Sequence, residues 1–333
     1  MKRTKVAVIF PKLDWSDGSH FPYWLRLFEE AGKELDIFIL FESGLEVETV
    51  SNCSCYVQRV MQKPFNILER GLYLLYLRVK GYEAFYIHSS VWGLLLAKLI
   101  TYVFGGKTYL WDCEHYLSTP RNWLHVQAMK WADCLVTGHQ KIARRYRALG
   151  IAKKQVKIVS NWVVDDVKKN NKRTFYKPSL IKNILFVHHL SSRKGSRKLP
   201  EIISAVLKDS KARFTIVGDG PDFLMLSKWI EENKVAKNVT LKGSLSRREV
   251  KAEFSKADLF IMPSQSEGFP RVVLEAQQYG VPYVATNVGC VKEISPVCQK
   301  QFITLPTDTQ AFCKNIESLL KLKTQDREHL VKK

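Results

Sequence analysis

The chain has 333 residues, of which 46% are hydrophobic and 25% are charged. This length suits two domains, and this composition excludes a disordered chain. The formal net charge of +20 predicts a negatively charged partner, such as a phosphorylated substrate, an anionic membrane surface or nucleic acid. A solvated, lysine-rich surface without any such partner accounts for the same charge.

The first half alternates short apolar segments with longer amphipathic ones, which predicts an α/β domain with a parallel sheet. The apolar run VWGLLLAKLITYVFGG is interrupted by Lys98 and is too short to span a membrane. We predict an N-terminal domain over residues 1–165. Its strands are predicted at KVAVIF, LDIFILF, AFYIHS, TYLWDC, DCLVTG and VKIVSN, and one helix at FPYWLRLFEEAG.

Residues 166–182 are polar and basic and lack periodicity, which predicts an interdomain linker. A second α/β series follows, so we predict a C-terminal domain over residues 183–333. Two sheets joined by a linker predict a ligand-binding cleft between them. The strands of the second domain are predicted at NILFVHHL, ARFTIV, NVTLKGS, DLFIMPS and VPYVATN, and its helices at FLMLSKWIEEN and PRVVLEAQQYG.

Two loops of the second domain carry residues that suit phosphate binding. In IVGDGPD, Gly218 ends a strand and Pro221 suits a helix start, where amide groups bind anions. In HHLSSRKGS, several donors for a diphosphate come from the side chains of His188, His189, Arg193 and Lys194. Each loop is also compatible with a structural alternative, a simple turn in the first case and a solvated basic loop in the second.

A third segment, PSQSEGFPRVVLEAQQYG, places two glutamates on either side of a helix start. Glu267 falls in the loop after a strand, and Glu275 falls on a helix expected to pack against the sheet. A buried carboxylate needs hydrogen-bond donors, which ligand hydroxyls provide. The amides at the helix start suit a phosphate. Sugar hydroxyls, phosphate and ribose in this order predict a nucleotide sugar.

Residues 184–294 resemble the retaining GT-B glycosyltransferases of family 4, part of the glycosyl transferases group 1. The resemblance rests on RKG, FTIVGDGP, NVTLKGSLSRREV and ADLFIMPSQSEGFPRVVLEAQQYGVPYVATNVGCVKEI, in this order and spacing. It implies two Rossmann-like domains that face a cleft. The family usually continues into a helix that crosses back onto the first domain, so we expect this chain to end early relative to the family pattern.

The resemblance also implies roles for individual residues. Glu267 and Glu275 match the family's two glutamates, which implies that Glu267 binds the donor sugar and Glu275 the ribose. Lys194, with Arg193, would bind the diphosphate. His189 lies where many members have an arginine, and could assist the phosphates when protonated. Backbone amides would come from Gly268, Phe269, Pro270, Arg271, Val272 and Val273, with Gly218 nearby.

The first half matches the family less well. DGSHFPYWLRLFEEAG is similar to the family's first loop and helix, which implies that Gly18 lies near donor and acceptor. In TYLWDCEHYL, His115 is the candidate for the family's catalytic acceptor-side histidine. Glu114 and Asp112 are alternatives for this place, and a structural histidine is a further one.

The resemblance implies an enzyme that transfers a sugar from a UDP- or GDP-linked donor to a glycan or lipid-linked acceptor in cell-envelope glycan synthesis, with retention. No cofactor is expected, and no metal, because the sequence has no DxD motif in a donor position. A non-catalytic sugar-nucleotide-binding subunit is the first alternative. A nucleic-acid-binding protein is the second; it leaves the ordered glutamates unexplained, so we expect no nucleic acid partner.

Two basic amphipathic segments predict peripheral binding to an anionic membrane. Residues 63–82 carry Phe65, Leu68, Leu72, Leu75 and Val79 at helical spacing beside Arg70, Arg78 and Lys80, and residues 141–147 read KIARRYR. A core helix with a solvated face is the alternative for each. We therefore expect a cytoplasmic protein at the inner face of the cell membrane.

Overall fold

The computed structural model describes residues 3–13, 21–44, 49–112, 123–138, 140–159 and 181–322, with residues 326 and 330. The chain forms two compact units, Met1–Ser160 and Asn161–Lys333. Each unit has its own parallel sheet and its own core, which confirms the predicted α/β fold class. Most of the predicted linker, residues 166–182, lies outside the described residues, so its extent stays a prediction.

In the described residues, the N-terminal unit has a seven-stranded parallel sheet with strand order β3-β2-β1-β4-β5-β6-β7. The sheet is extended in both directions from β1, where Ile9 lies opposite Leu40 on one side and next to Ile87 on the other. The strands are β1 (Lys5–Phe10), β2 (Asp36–Phe41), β3 (Cys53–Val57), β4 (Ala84–His88), β5 (Lys107–Trp111), β6 (Cys134–Thr137) and β7 (Val156–Ile158).

Helices join these strands. They are α1 (Phe21–Ala31), α2 (Phe65–Val79), α3 (Val91–Phe104), α4 (Trp123–Trp131) and α5 (Gln140–Ala148). Residues of α2 to α5 share one core with the sheet, because Leu74, Ala97, Met129 and Tyr146 belong to the same buried cluster as Ile87. Helices α2 to α5 therefore cover the same face of the sheet.

The sequence prediction did not include β3, the edge strand CSCYV. Its residues are only partly buried, so it lacks the apolar run that identified the other strands. It pairs with β2 in parallel, with Cys55 next to Ile39. An edge strand needs less apolar surface because only one of its sides joins a neighbour.

In the described residues, the C-terminal unit has a six-stranded parallel sheet with strand order β10-β9-β8-β11-β12-β13. Apolar clusters cover both faces of this sheet: Ile184 and Ile216 lie in one cluster, and Leu185 and Val217 in the other. This alternation is expected of central strands in an α/β sheet. The strands are β8 (Lys182–Val187), β9 (Ala212–Val217), β10 (Val239–Leu241), β11 (Leu259–Met262), β12 (Tyr283–Thr286) and β13 (Ile303–Thr304).

The helices of this unit are α6 (Leu199–Asp209), α7 (Phe223–Glu232), α8 (Arg247–Lys256), α9 (Arg271–Gln278), α10 (Val291–Ile294) and α11 (Thr309–Lys321). Helix α8 begins with a capping box, in which Ser246 and Glu249 each accept a hydrogen bond from the other's backbone amide. All predicted strands and helices of this half are confirmed.

Within the described residues, no helix combines the length and the apolar composition that crossing a membrane requires.

Candidate functional site

The candidate site lies where the strand order of the C-terminal sheet reverses, between β8 and β11. From the central strand β8 the chain adds β9 and β10 on one side, and then β11, β12 and β13 on the other. The connections that follow β8 and β11 therefore leave the sheet toward opposite faces, and ligands of open α/β sheets bind at this point. The loop after β8 covers residues 188–198, and the loop after β11 covers residues 263–270.

Glu267 in the second loop is the centre of a buried polar cluster. Its Oε2 accepts a hydrogen bond from Lys194 Nζ at 2.6 Å, and its Oε1 accepts from His188 Nε2 at 2.7 Å. Ser264 Oγ donates to the same Oε1 at 2.9 Å. Glu267 and Lys194 are only 6% and 7% exposed. The carboxylate is thus buried with three protein donors, as a buried charge requires.

The charges of this cluster follow from its contacts. Burial by itself raises the pKa of Glu267, but the hydrogen bond from His188 and the ammonium of Lys194 together lower it to about 2. Burial lowers the pKa of His188, so this imidazole is neutral at neutral pH. Its Nδ1 accepts a hydrogen bond from the backbone amide of His189 at 3.1 Å. The proton is therefore on Nε2, where it is donated to Glu267.

Backbone contacts connect the loop after β8 to the loop after β11. The amide of Gln265 donates to the carbonyl of Arg193 at 2.8 Å, and the Arg193 guanidinium donates to the carbonyl of Ser266 at 3.4 Å. Gly195 has φ +80°, and a Cβ there would collide with the carbonyl of Pro263. Only glycine permits this close approach of the two loops.

The loop after β9, residues 218–222, packs against the loop after β8. Asp222 accepts from Ser196 Oγ at 2.6 Å and from Arg197 Nε at 3.0 Å. Gly218 has φ +138°, and a Cβ there would collide with the carbonyl of His188. The Gly218 amide donates to the carbonyl of Gly243 at 2.8 Å. Gly218 thus packs against the site with its amide paired inside the unit, and its donor-binding role stays a prediction.

The position of Pro221 relative to the following helix differs from the prediction. It lies in the turn before α7, which begins at Phe223, and not in the first helical turn. The turn is closed by the Phe223 amide, which donates to the carbonyl of Gly220 at 3.0 Å. The helix start at this loop is therefore displaced by two residues from the proline.

Helix α9 carries the second glutamate. The helix begins at Arg271, directly after Pro270, and buries Val273 and Ala276 against the sheet. Glu275 is half-buried, because its side chain lies off the face that these two residues define. The helix packs against the sheet as predicted, and Glu275 lies one helical turn beyond the helix start; its ribose-binding role stays a prediction.

The family follows from residues 167–333, half of the chain, which match the family described as "Glycosyl transferases group 1". The chain belongs to this family. It is 28% identical over 246 residues to an uncharacterized 41.2 kDa protein in the cps region of Klebsiella pneumoniae, a match that covers 67% of this chain. That match spans 66% of the relative's own length, and other curated relatives are matched over as little as 25% of theirs.

Solved structures extend the likeness over both units. The apo form of the lipopolysaccharide outer core galactosyltransferase WaaB matches 98% of this chain and 94% of its own, with a TM-score of 0.73 and 15% identity. Anabaena HepE in complex with UDP and glucose matches 99% and 93%, with a TM-score of 0.72 and 14% identity. These likenesses, with the two parallel sheets, show that this group 1 family member has the GT-B fold.

The structure brings some of the predicted site residues of this group 1 family member together. Glu267 and Lys194 meet in the buried cluster described above, and Arg193 lies beside it, hydrogen-bonded to the carbonyl of Ser266. His189 is exposed, and it is His188 that contacts Glu267. Gly268 and Phe269 are half-buried and Pro270 is buried. The helix start follows directly with Arg271, Val272 and Val273. Their donor-binding roles stay predictions.

Sequence reasoning missed His188 and Ser264 as partners of Glu267. Ser264 stands three residues before Glu267, within the segment PSQSE that drew attention to the site. His188 is 79 positions away from Glu267, and its neighbour His189 was chosen because of its alignment with the family arginine. The backbone geometry at the end of β8 determines which of the two imidazoles points toward the loop after β11.

On the N-terminal side, Gly18, His115 and Glu114 lie outside the described residues. Asp112, the remaining alternative, follows β5 and is buried, and its Oδ2 accepts from the Tyr146 hydroxyl at 3.2 Å. Among the residues that the structure describes, no group of three or more His, Cys, Asp or Glu side chains is arranged to hold a metal ion.

Proposed function

We propose that the chain is a glycosyltransferase that moves a sugar from a nucleotide-linked donor to an acceptor hydroxyl with retention at the anomeric carbon. The observation that carries this proposal is the pairing of Glu267 with Lys194 at the point where the strand order of the sheet reverses. Helix α9, which carries Glu275, begins shortly after Glu267. Two carboxylates and the amide donors between them thus lie within the nine residues 267–275, and the cation comes from the neighbouring loop.

Each group has a chemical task in this proposal. Lys194 donates one N–H to Glu267 at 2.6 Å, and an ammonium has three donors, so two remain by valence for a diphosphate. The amides at the start of α9 and the exposed guanidinium of Arg193 add positive charge for the same diphosphate. Glu267 accepts from sugar hydroxyls, and Glu275 accepts from ribose hydroxyls.

The reaction breaks the bond between the anomeric carbon and the diphosphate oxygen and forms a bond from that carbon to the acceptor oxygen. The hydroxyl proton of the acceptor leaves with the nucleoside diphosphate. The chain contributes by positioning both substrates and by stabilising negative charge on the leaving diphosphate. We propose that basic side chains and helix amides do this without a divalent metal.

Relatives support the choice of substrates. WaaB is named as a lipopolysaccharide galactosyltransferase, HepE is described with UDP and glucose, and a relative belongs to a cps region. We therefore propose a UDP- or GDP-linked donor and a glycan or lipid-linked acceptor in the synthesis of a cell-envelope glycan.

One observation favours a second candidate. The carboxylate of Glu267 already accepts from three protein donors, which suits a rigid structural cluster in a non-catalytic sugar-nucleotide-binding subunit. Such a subunit would bind the donor and transfer nothing.

A two-step experiment tests the proposal. UDP, GDP and their sugar conjugates are first screened for a rise in the melting temperature of the full chain, because a ligand of the native state stabilises it by mass action. Transfer of radiolabelled sugar from the stabilising donor to a lipid and glycan extract is then measured with and without EDTA. We expect donor binding and EDTA-insensitive transfer.

Glu275→Gln is the informative variant, because Glu275 is half-buried and outside the Glu267 cluster. We expect it to weaken donor binding while the fold is kept. Glu232→Gln, on the exposed face of α7, is the matched control. Binding without transfer would favour the non-catalytic subunit, and the absence of stabilisation by every nucleotide would contradict both.

A further inference from the structure

Three helices of the N-terminal unit present large apolar side chains to solvent. Of the twenty-one exposed large hydrophobic side chains in the described residues, twelve lie on α2, α3 and α4. We call them the outer helix surface: Phe65, Leu68, Leu72, Tyr76, Val79, Trp92, Leu99, Tyr102, Val103, Phe104, Trp123 and Trp131.

These side chains share one side of the unit. The inner faces of α2, α3 and α4 pack on the same face of the sheet, in one core with Ile87, so their outer faces point away from it together. Helices α2 and α3 are also in direct contact. Gly71 packs beside Leu96, and the Arg78 guanidinium donates to the carbonyl of Phe104 at 2.6 Å. The apolar residues therefore form one surface and not separate patches.

Helix α2 is apolar on both its inner and its outer face. Leu74 and Leu77 are buried in the core, whereas Leu72 is 60% exposed and Val79 78% exposed. The outer residues follow each other at three and four positions and extend for about 21 Å along the helix axis. A helix that is apolar on all sides is normally covered, and a large exposed apolar surface indicates a binding partner.

The helices that carry this surface are mainly basic, and the acidic residues Glu83 and Asp133 beside them pair with Arg78 and Lys98. Helices α3, α4 and α5 contain no Asp or Glu. The one acidic residue of α2, Glu69, accepts from the Tyr56 hydroxyl and from the amides of Arg59 and Val60. At the end of α2, the Lys80 ammonium lies 5.6 Å from the ring centre of Tyr76.

Helix α5 adds cations on the same side of the sheet. Its apolar residues Ile142, Ala143 and Tyr146 are buried, so α5 has no apolar face to insert. Its exposed charged residues are Lys141, Arg144, Arg145 and Arg147. Of the two predicted membrane helices, α2 thus presents an apolar stripe and α5 only a basic face.

Arg70 of α2 differs from the prediction. It is buried and pairs with Glu42 at 2.8 Å, so it belongs to the interior of the unit and not to the cations around the outer helix surface.

We propose that the outer helix surface binds the interface of an anionic lipid bilayer, with the cations of α5 and Lys80 beside the lipid headgroups. Tryptophan and tyrosine are suited to the bilayer interface because each has an apolar ring and a polar group. An apolar stripe on α2 beside the cations of α5 and Lys80 matches an anionic bilayer, which offers an apolar interior beneath negatively charged headgroups. Binding in this way needs no helix that spans the bilayer.

The test is flotation of the full chain with vesicles of phosphatidylcholine alone or mixed with phosphatidylglycerol. We expect binding to the mixed vesicles that decreases as salt is added, because the Debye length shortens. Leu72→Glu and Leu99→Glu should each weaken binding at least about tenfold, since each replaces a leucine that enters the bilayer with an anion. Leu224→Glu, at a position 80% exposed on α7 of the other unit, is the matched control and should have no effect.

A second pair of variants tests the charges. Arg144→Gln with Arg147→Gln should weaken binding by roughly fivefold per cation, and Lys211→Gln with Arg213→Gln, also exposed, should change it little. All substituted side chains are exposed, and circular dichroism and nucleotide-induced stabilisation verify that each variant folds and keeps its donor site.

Three results would overturn the proposal. They are equal binding to neutral and mixed vesicles, binding that Leu72→Glu and Leu99→Glu leave unchanged, and a wild-type dimer that Leu72→Glu dissociates while no vesicles are bound. The third would show that a second copy of the chain covers the surface.

Discussion

The buried pair Lys194–Glu267 allows a quantitative prediction. Lowering the pKa of Glu267 from its ordinary value of 4.5 to about 2 corresponds to about 3 kcal/mol of preferential stabilisation of the carboxylate. His188, Lys194 and Ser264 share this stabilisation. Replacing one partner of a buried pair also leaves the other charge uncompensated, which costs about 3–5 kcal/mol.

We therefore expect Lys194→Met and Glu267→Gln each to lower the free energy of unfolding of the C-terminal unit by about 3 kcal/mol or more. The double variant should be less destabilised than the sum, with a coupling energy of roughly 2–3 kcal/mol. The cost of Lys194→Met should decrease on acidification. In Lys194→Met the cation is missing, and burial raises the pKa of Glu267. On acidification the folded variant therefore protonates Glu267, which removes the uncompensated negative charge.

The assay is a double-mutant cycle on the full chain, in which urea unfolding is followed by pulsed hydrogen exchange of peptides from β8 and β11. These peptides report on the C-terminal unit alone. The pair Lys228–Glu232 is the control, because its side chains are 76% and 59% exposed and 3.6 Å apart. Its coupling should stay below about 0.5 kcal/mol. A coupling this small for Lys194 and Glu267 would refute a buried ion pair.

Further predictions concern His188, two glycines and the N-terminal cap of α8. Burial lowers the pKa of His188, so on acidification below about pH 6.5 the unfolded chain binds a proton there that the folded chain does not. The free energy of unfolding should therefore decrease as the pH is lowered below about 6.5. His188→Gln should reduce this pH dependence in urea unfolding. Gly218→Ala should lower the melting temperature markedly through collision with the His188 carbonyl. Gly71→Ala in α2 should be neutral or stabilising, because its added Cβ would lie at an ordinary contact distance of 3.6 Å from Leu96 of α3. Ser246→Ala should destabilise α8 by about 1 kcal/mol, seen as faster hydrogen exchange, without changing nucleotide binding.

The fold could be predicted from the sequence where apolar runs are strong. Strands such as KVAVIF and DLFIMPS are buried on both faces, and the predicted segments match the observed ones. The strand Cys53–Val57 could not be predicted, because an edge strand with half-buried Ser and Cys side chains has no distinctive pattern.

The donor loops could be predicted as candidates, but their contacts could not. The segment around Glu267 carries a local signature, whereas the choice between His188 and His189 depends on strand geometry and on a contact across 79 positions. The helices α2 and α5 illustrate the same limit. Both sequences are basic and amphipathic, but only packing on the sheet determines that α5 buries its apolar face while α2 exposes a second one.

The proposed function requires a sugar nucleotide to bind at the cluster around Glu267. The most direct measurement is hydrogen–deuterium exchange of the full chain, with and without a saturating sugar nucleotide identified by thermal shift. We expect slower exchange in peptides that cover residues 188–198 and 263–278, and loss of this protection in Glu275→Gln. Protection confined to other segments, with these two unchanged, would mean that the sugar nucleotide binds elsewhere.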